Sequence, residues 1–172
     1  CFGSLAQRSA VSRDSINAFL DAMEPHALVV FDINLRQHFY DKAVVCDSLK
    51  RCNILKINDE ELLVVADLLG YVGCTTEEVC KQLMADYDLK ILILTCGENG
   101  SYVYGEGNVH YEPTPKVDVA DTVGAGDSFT AAFVAMMLKG STLLEAHRKA
   151  VEVSAYVCTQ QGAMPKLPEQ MV

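Results

Sequence analysis

A chain of 172 residues with a formal net charge of −9 is long enough to bury one hydrophobic core and too acidic for a general nucleic-acid-binding role. No apolar run approaches the roughly 20 residues that a membrane-spanning helix needs, so we expect no membrane association. The seven cysteines form no CxxC pair, which argues against a zinc site and predicts buried thiols in a reducing cytoplasm.

Hydrophobic periodicity along the chain predicts strands and helices in alternation. The predicted helices span residues 12–23, 42–50, 59–69, 75–87, 124–138 and 143–158. The predicted strands span residues 27–33, 54–57, 90–94, 101–104, 108–111 and 117–120. This order favours an α/β protein with a mainly parallel sheet and helices on both faces, in one domain. Ligands of such sheets bind beyond the carboxyl ends of the strands.

The sequence DTVGAGDSF at residues 121–129 is a glycine-rich turn that opens a helix. Gly124 and Gly126 let the backbone approach a ligand closely. The N–H groups of the first helical turn favour an anion there, and Asp127 places a carboxylate beside it. A phosphate site with an adjacent acid is what a kinase that phosphorylates a hydroxyl group needs.

This motif resembles the C-terminal signature of the ribokinase-like, PfkB-type sugar kinases, in which Asp-Thr, one variable residue and Gly-Ala-Gly-Asp precede a helix. The resemblance implies a ribokinase-like three-layer αβα fold with a mainly parallel central sheet. It implies that Asp127 is the catalytic base and that the amides of Gly124, Ala125 and Gly126 stabilise the transferring phosphate. ATP and Mg²⁺ are the implied cofactors.

Asp32, Asn34 and Arg36 alternate at the end of the first predicted strand, so they point to one side if the strand continues. Arginine can bind phosphate oxygens in a fork, and asparagine can bind a sugar hydroxyl. From these residues alone, a solvated strand end with an ordinary ion pair is an equal alternative. The motif resembles the D-x-N-x-R segment of fructokinase-like and 2-keto-3-deoxygluconate-kinase-like family members, which implies a substrate or phosphate site.

Asn58 and Glu61 stand at the N-cap and capping-box positions of the helix predicted at residues 59–69. That structural role is sufficient by itself. The pair also matches the family's N-x-x-E motif, which implies that both residues organise magnesium, water and the nucleotide phosphates. Glu61 is then expected to reach the metal through water, because Mg²⁺ keeps several of its waters.

Thr95, Gly97 and Gly100 resemble the family's T-x-G-x-x-G turn, which lies along ATP. The alternative is an ordinary glycine-rich turn before a hairpin. Ser154, on the last predicted helix, is expected near the adenine.

Residues 161–165 resemble the family's closing loop, which surrounds a monovalent cation in several members. The resemblance implies a K⁺ site to which Asp121 contributes one carboxylate oxygen. The alternative is that Asp121 only braces the turn.

The segment Gly3-Ser4-Leu5 resembles the G-S-L segment of bacterial fructokinases, which implies ATP-dependent conversion of fructose to fructose 6-phosphate. A kinase for 2-keto-3-deoxygluconate, ribose or a nucleoside is the alternative with the same fold. A non-catalytic nucleotide-binding domain is an alternative of another class.

The resemblance covers the whole chain but only the C-terminal part of a typical family member. We therefore expect residues 1–172 to be the nucleotide-binding and catalytic part of one kinase domain, with the N-terminal sugar-binding half and lid absent. Such a part alone is expected to be inactive. For the full-length protein, the resemblance implies ATP and a small sugar as ligands and a homodimer formed through the lid.

Overall fold

The structure is a computed structural model that describes residues 1–171. Its helices are α1 (Ala10–Asp21), α2 (Lys42–Arg51), α3 (Asp59–Leu69), α4 (Thr76–Asp86), α5 (Ala125–Leu138) and α6 (Leu143–Cys158). Its strands are β1 (Val30–Asp32), β2 (Ile54–Asn58), β3 (Ile91–Thr95), β4 (Ser101–Gly105) and β5 (Asn108–Glu112). The predicted bounds of α3 and α6 are confirmed, and the other elements differ from their predictions by a few residues at either end.

The strands form one sheet in the order β1-β2-β3-β4-β5. Strands β1, β2 and β3 run parallel, which confirms the predicted parallel sheet for this part of the chain. Asp32 of β1 lies opposite Lys56 of β2, and Asn58 of β2 lies opposite Thr95 of β3. The register therefore places three motif residues at the carboxyl ends of neighbouring parallel strands, where α/β sheets bind their ligands.

Two sequence predictions about strands are wrong. No strand forms at residues 117–120, because this segment is largely exposed and its Ala120 amide donates to the carbonyl oxygen of Cys158 instead of a neighbouring strand. Strand β1 ends at Asp32, and Asn34 turns the chain with a φ of 43°. The predicted alternation of Asp32, Asn34 and Arg36 on one face of a continuing strand therefore does not occur.

Most helices start at side chains that satisfy their first amides. Helices α3, α4 and α6 begin with complete capping boxes, built by Asn58, Thr75 and Thr142 with a glutamate three residues later. Helix α5 instead starts at Gly124, which has a φ of 82° and no side chain to cap the helix. The Gly124 carbonyl oxygen accepts the Ser128 amide at 2.8 Å, but no side chain of the cap residue accepts the first amides of α5.

The chain divides into two compact units. The first unit comprises Cys1–Thr95 and Tyr104–Asn108, and the second comprises Cys96–Val103 and the segment from Val109 to the end of the described chain. Within the first unit, β1, β2 and β3 are buried strands with almost continuous apolar sequences. Within the second unit, α5 and α6 pack on each other, and Phe133 of α5 is fully buried.

The cysteines are not uniformly buried. Cys52 lies in the core, and burial raises the pKa of its thiol to about 12, whereas Cys1 and Cys74 are exposed. The prediction of buried thiols is therefore wrong for these two residues. Among residues 1–171, no helix is long and apolar enough to cross a membrane.

Candidate active site

The carboxylate of Asp32 is held by the protein itself. Lys56 Nζ lies 3.0 Å from Asp32 Oδ1, and each side chain is only about a tenth exposed. The two residues are directly opposite in the β1–β2 register, so the alignment of the strands brings their side chains together. For Asp32, the structure thus favours the ion-pair alternative over direct contact with a substrate.

Asn34 and Arg36 follow β1 in an irregular segment. Asn34 is partly buried, and Arg36 is exposed. Between them, the amide of Leu35 donates to Glu61 Oε1 at 2.9 Å. The D-x-N-x-R segment is therefore fixed by a residue of the N-x-x-E motif, a contact that the sequence analysis missed because the two residues are distant in sequence.

Glu61 has both carboxylate oxygens engaged. Besides the amide of Leu35, it accepts the amide of Asn58 at 3.0 Å, while Asn58 Oδ1 accepts the Glu61 amide at 2.8 Å. The predicted capping box is therefore confirmed.

Thr95 lies opposite Asn58 at the end of β3, and it is partly buried.

In the second unit, close packing requires a glycine at one position of the turn before β4. Residues Gly97–Asn99 form a short 3₁₀ helix, and Gly100 follows with a φ of 91°. A Cβ atom on Gly100 would lie 2.6 Å from the carbonyl oxygen of Glu112. The close approach of the hairpin to Gly100 therefore requires a glycine there, whether or not a nucleotide binds.

The signature turn presents an exposed acid at the start of α5. Asp127 lies in the first turn of the helix and is exposed. Gly124 packs against the closing loop so tightly that a Cβ atom would lie 2.4 Å from the carbonyl oxygen of Ala163. Of the three predicted amide donors, Ala125 already donates to the carbonyl oxygen of Thr122 at 3.3 Å. Gly126 follows it inside the first turn.

Asp121 connects the signature turn to the closing loop. Its Oδ1 accepts the amide of Val123 at 3.0 Å, and its Oδ2 accepts the amide of Gly162 at 3.1 Å. These amide bonds hold the pKa of the Asp121 carboxyl below its usual range. The bracing alternative for Asp121 is thus realised, and cation binding at Asp121 stays a prediction.

Ser154 contacts the signature helix rather than open space. Its Oγ donates to the carbonyl oxygen of Ala125 at 3.0 Å, across the α5–α6 interface. Its predicted place near an adenine stays a prediction.

The buried residue His147 of α6 was not singled out by the sequence. Its Nε2 lies 2.7 Å from Ser101 Oγ, and its ring packs edge-on against Phe129 with ring centroids 6.1 Å apart. Burial, with a smaller effect of His110, lowers the pKa of His147 to about 4, against an opposing effect of Glu112. Its place in the helical apolar spacing of α6 is the signal that could have found it.

The described residues contain no group of three or more histidines, cysteines or acids that could hold a metal ion. Glu61 uses both oxygens for backbone amides, so it suits a contact through water better than direct ligation. The Glu61 carboxylate therefore fits a magnesium ion only through a water molecule.

The model of the pfkB family of carbohydrate kinases matches residues 5–170 of the chain. A probable fructokinase-5 from Arabidopsis thaliana is 31% identical over 97% of the chain and 54% of its own length. A ribokinase from the same plant is 30% identical over 76% of the chain and 35% of its own length.

Among solved structures, the fructokinase of Vibrio cholerae O395, crystallised with fructose, ADP and calcium, superimposes with a TM-score of 0.82 at 26% identity. It matches 95% of this chain and 55% of its own length. The likeness confirms the predicted ribokinase-like three-layer αβα fold. The chain thus spans little more than half the length of the fructokinases it resembles.

Proposed function

Because the chain belongs to the pfkB family of carbohydrate kinases, we propose that the complete protein transfers the terminal phosphate of ATP to a primary hydroxyl of a sugar. The single observation that carries this proposal is the exposed Asp127 in the first turn of α5, a helix whose cap is a glycine. An acid in that position can accept a proton beside the helix end that favours phosphate.

In the proposed mechanism, Asp127 accepts the proton of the sugar hydroxyl as the hydroxyl oxygen bonds to the terminal phosphorus of ATP. The bond from that phosphorus to ADP breaks in the same step. The amides of Gly124 and Gly126 face the phosphate, and the N-terminal dipole of α5 stabilises its charge. Catalysis of this kind is positioning and electrostatics without a covalent enzyme intermediate.

The same proposal includes the residues that bind ATP and magnesium. Thr95 and the turn from Gly97 to Gly100 bind ATP, with Ser154 close to the adenine. Asn58 and Glu61 order magnesium and its waters, and this assignment is supported by the carboxylate of Glu61 at a helix start. When bound, magnesium neutralises phosphate charge.

Asp121 contributes an oxygen to a K⁺ ion in the proposed scheme. Asp32, Asn34 and Arg36 form the substrate and phosphate side, with Asp32 acting through its ion pair with Lys56.

Fructose is the proposed sugar. The fructokinase relatives and the Gly3-Ser4-Leu5 segment support it. The ribokinase relative at 30% identity keeps ribose as a second candidate. We further propose that residues 1–172 form the nucleotide-binding, catalytic part of a cytoplasmic kinase and depend on a sugar-binding half for turnover.

A coupled assay of ADP release by the complete protein, with fructose, ribose and 2-keto-3-deoxygluconate side by side, tests this proposal. We expect turnover with fructose and none from residues 1–172 alone. Turnover with another sugar would keep the kinase and discard fructose. Bound ATP without turnover on any sugar would contradict the proposal and favour a non-catalytic nucleotide-binding protein.

A further inference from the structure

The peptide bond between Asn34 and Leu35 is held at both of its polar ends. Its N–H, on Leu35, donates to Glu61 Oε1 at 2.9 Å. Its carbonyl oxygen, on Asn34, accepts from Ser4 Oγ at 3.3 Å. Ser4 is 1% exposed and Glu61 is 8% exposed, so water competes little for either bond.

This peptide follows a residue in an unfavourable backbone conformation. Asn34 has a φ of 43°, in the left-handed region where residues other than glycine are uncommon, although asparagine tolerates it better than most. Such conformations persist where surrounding contacts over-determine them, and they cluster at functional sites. The two bonds to the Asn34–Leu35 peptide are contacts of that kind.

Ser4 and its neighbour Gly3 make further contacts with the backbone at the end of β1. The Ser4 hydroxyl shares its single proton between the carbonyl oxygen of Ile33 at 2.7 Å and that of Asn34 at 3.3 Å, and the Ser4 amide donates to the Ile33 oxygen at 3.1 Å. Gly3 lies so close to the strand end that a Cβ atom would be 2.9 Å from the carbonyl oxygen of Asp32. The Gly3-Ser4 pair therefore packs on the backbone of the D-x-N-x-R segment, and Ser4 is too buried to touch a sugar.

We propose that Ser4 and Glu61 are positioning residues that clamp the Asn34–Leu35 peptide and so orient Asn34 and Arg36 for the substrate. The clamp holds the peptide plane from opposite sides, with a hydroxyl on the carbonyl and a carboxylate on the amide. The role of the clamp in substrate binding rests on the proposed kinase function. The two hydrogen bonds that form the clamp do not depend on that function.

If Ser4 and Glu61 act together on one peptide, a change at Ser4 should affect the amide that Glu61 binds. Removing the Ser4 hydroxyl removes the donor that the carbonyl oxygens of Ile33 and Asn34 share, so both peptides lose a restraint and the Asn34–Leu35 plane can rotate away from Glu61. The amide of Leu35 should therefore exchange faster in Ser4→Ala, although Ser4 does not contact that amide.

Residue-resolved hydrogen exchange on the complete protein tests the structural part. We expect the Leu35 amide to exchange about tenfold faster in Glu61→Gln, because glutamine replaces one of the two accepting oxygens with an NH2 group and the uncharged oxygen that remains accepts more weakly. A smaller acceleration is expected in Ser4→Ala. The control variants Ser15→Ala and Glu60→Gln change an exposed serine of α1 and an exposed acid of the same α3 turn, and both should leave Leu35 unchanged.

Two exchange results would overturn the clamp. One is unchanged Leu35 exchange in Ser4→Ala. The other is equal acceleration of the buried β2 amides at residues 54–57, which would mean general destabilisation.

Steady-state kinetics of Ser4→Ala tests the substrate part, because Ser4, unlike Glu61, has no proposed role at the magnesium ion. Ser4→Ala should raise the sugar KM about tenfold and lower kcat by a smaller factor, because Asn34 and Arg36 are both displaced on the substrate and phosphate side. Faster Leu35 exchange with an unchanged sugar KM would overturn the role in substrate binding. A wild-type protein without turnover on any sugar would refute the proposed function, and the exchange experiment would still decide whether the clamp exists.

Discussion

The acids Asp32 and Glu61 of the first unit and Asp127 of the second unit are held in opposite ways. In the first unit, Asp32 and Glu61 are buried, and each is bonded to protein groups: a lysine for Asp32 and two backbone amides for Glu61. In the second unit, Asp127 is exposed at the start of a helix, and the local backbone shape depends on Gly124. The first arrangement uses polar side chains to build the fold, and the second leaves an acid accessible.

The two arrangements predict different consequences of substitution, for stability in one case and for catalysis in the other. Removing a buried polar group from the first unit leaves its partner unsatisfied, so stability or orientation suffers. Removing the exposed acid from the second unit leaves the fold intact, so only chemistry suffers. Gly124 and Gly100 differ from Asp127 in this respect, because their conformation and packing allow no side chain.

The largest effect is expected at Asp127. Asp127→Asn should lower kcat of the complete protein about a thousandfold, since the proton acceptor is lost while the fold and the helix end are kept. ATP affinity and the melting temperature should not change. The matched control is Asp118→Asn, which alters an exposed acid in the preceding loop. Retained turnover in Asp127→Asn would remove Asp127 from the mechanism.

The buried pair gives the next largest effect, this time on stability. Lys56→Met should lower the free energy of unfolding by about 4 kcal/mol, because it leaves the buried carboxylate of Asp32 without its cation. Lys81→Met removes the exposed ion pair with Glu77 and should cost under about 0.5 kcal/mol. Chemical denaturation measures both values, and equal costs would mean that the Asp32–Lys56 pair is not effectively buried.

Gly124 and Gly140 have nearly the same φ, so replacing each with alanine distinguishes the stability cost of backbone conformation from the cost of packing. Gly124 and Gly140 have φ values of 82° and 83°, but only at Gly124 would a Cβ atom meet another group. Gly140→Ala should cost about 1 kcal/mol through conformation alone. Gly124→Ala should cost about 3 kcal/mol through conformation and collision with Ala163. Similar unfolding free energies for the two variants would refute the close packing of the closing loop.

The buried histidine predicts a dependence of stability on pH. The folded pKa of His147 is lowered from 6.5 to about 4, so the folded state binds fewer protons than the unfolded state between these values. Its contribution of about 3 kcal/mol is therefore present above pH 6.5 and lost as the pH falls through 4. His147→Gln should flatten this part of the stability profile, and His26→Gln, at an exposed site, should not. Parallel profiles for wild type and His147→Gln would contradict the assignment.

Local signals predicted much of the fold. The capping boxes at Asn58, Thr75 and Thr142 lie within four residues of sequence, so the starts of three helices were readable. The strand predicted at residues 117–120 failed because an apolar pattern does not reveal whether a neighbouring strand is available.

The candidate site was harder to predict than the fold. The signature turn was readable because its residues are contiguous. The bonds from Leu35 to Glu61 and from Ser4 to Asn34 join residues 26 and 30 positions apart, and no local pattern encodes them. The left-handed conformation of Asn34 also left no decisive signal, since many asparagines adopt ordinary angles.

The most direct test of the account is a ³¹P–¹H NMR spectrum of the product formed by the complete protein from ATP and fructose. We expect a phosphate ester on the C6 primary hydroxyl, formed by the wild type and by Asp118→Asn and absent with Asp127→Asn. A phosphate on another hydroxyl, inorganic phosphate alone, or the same product from Asp127→Asn would contradict it.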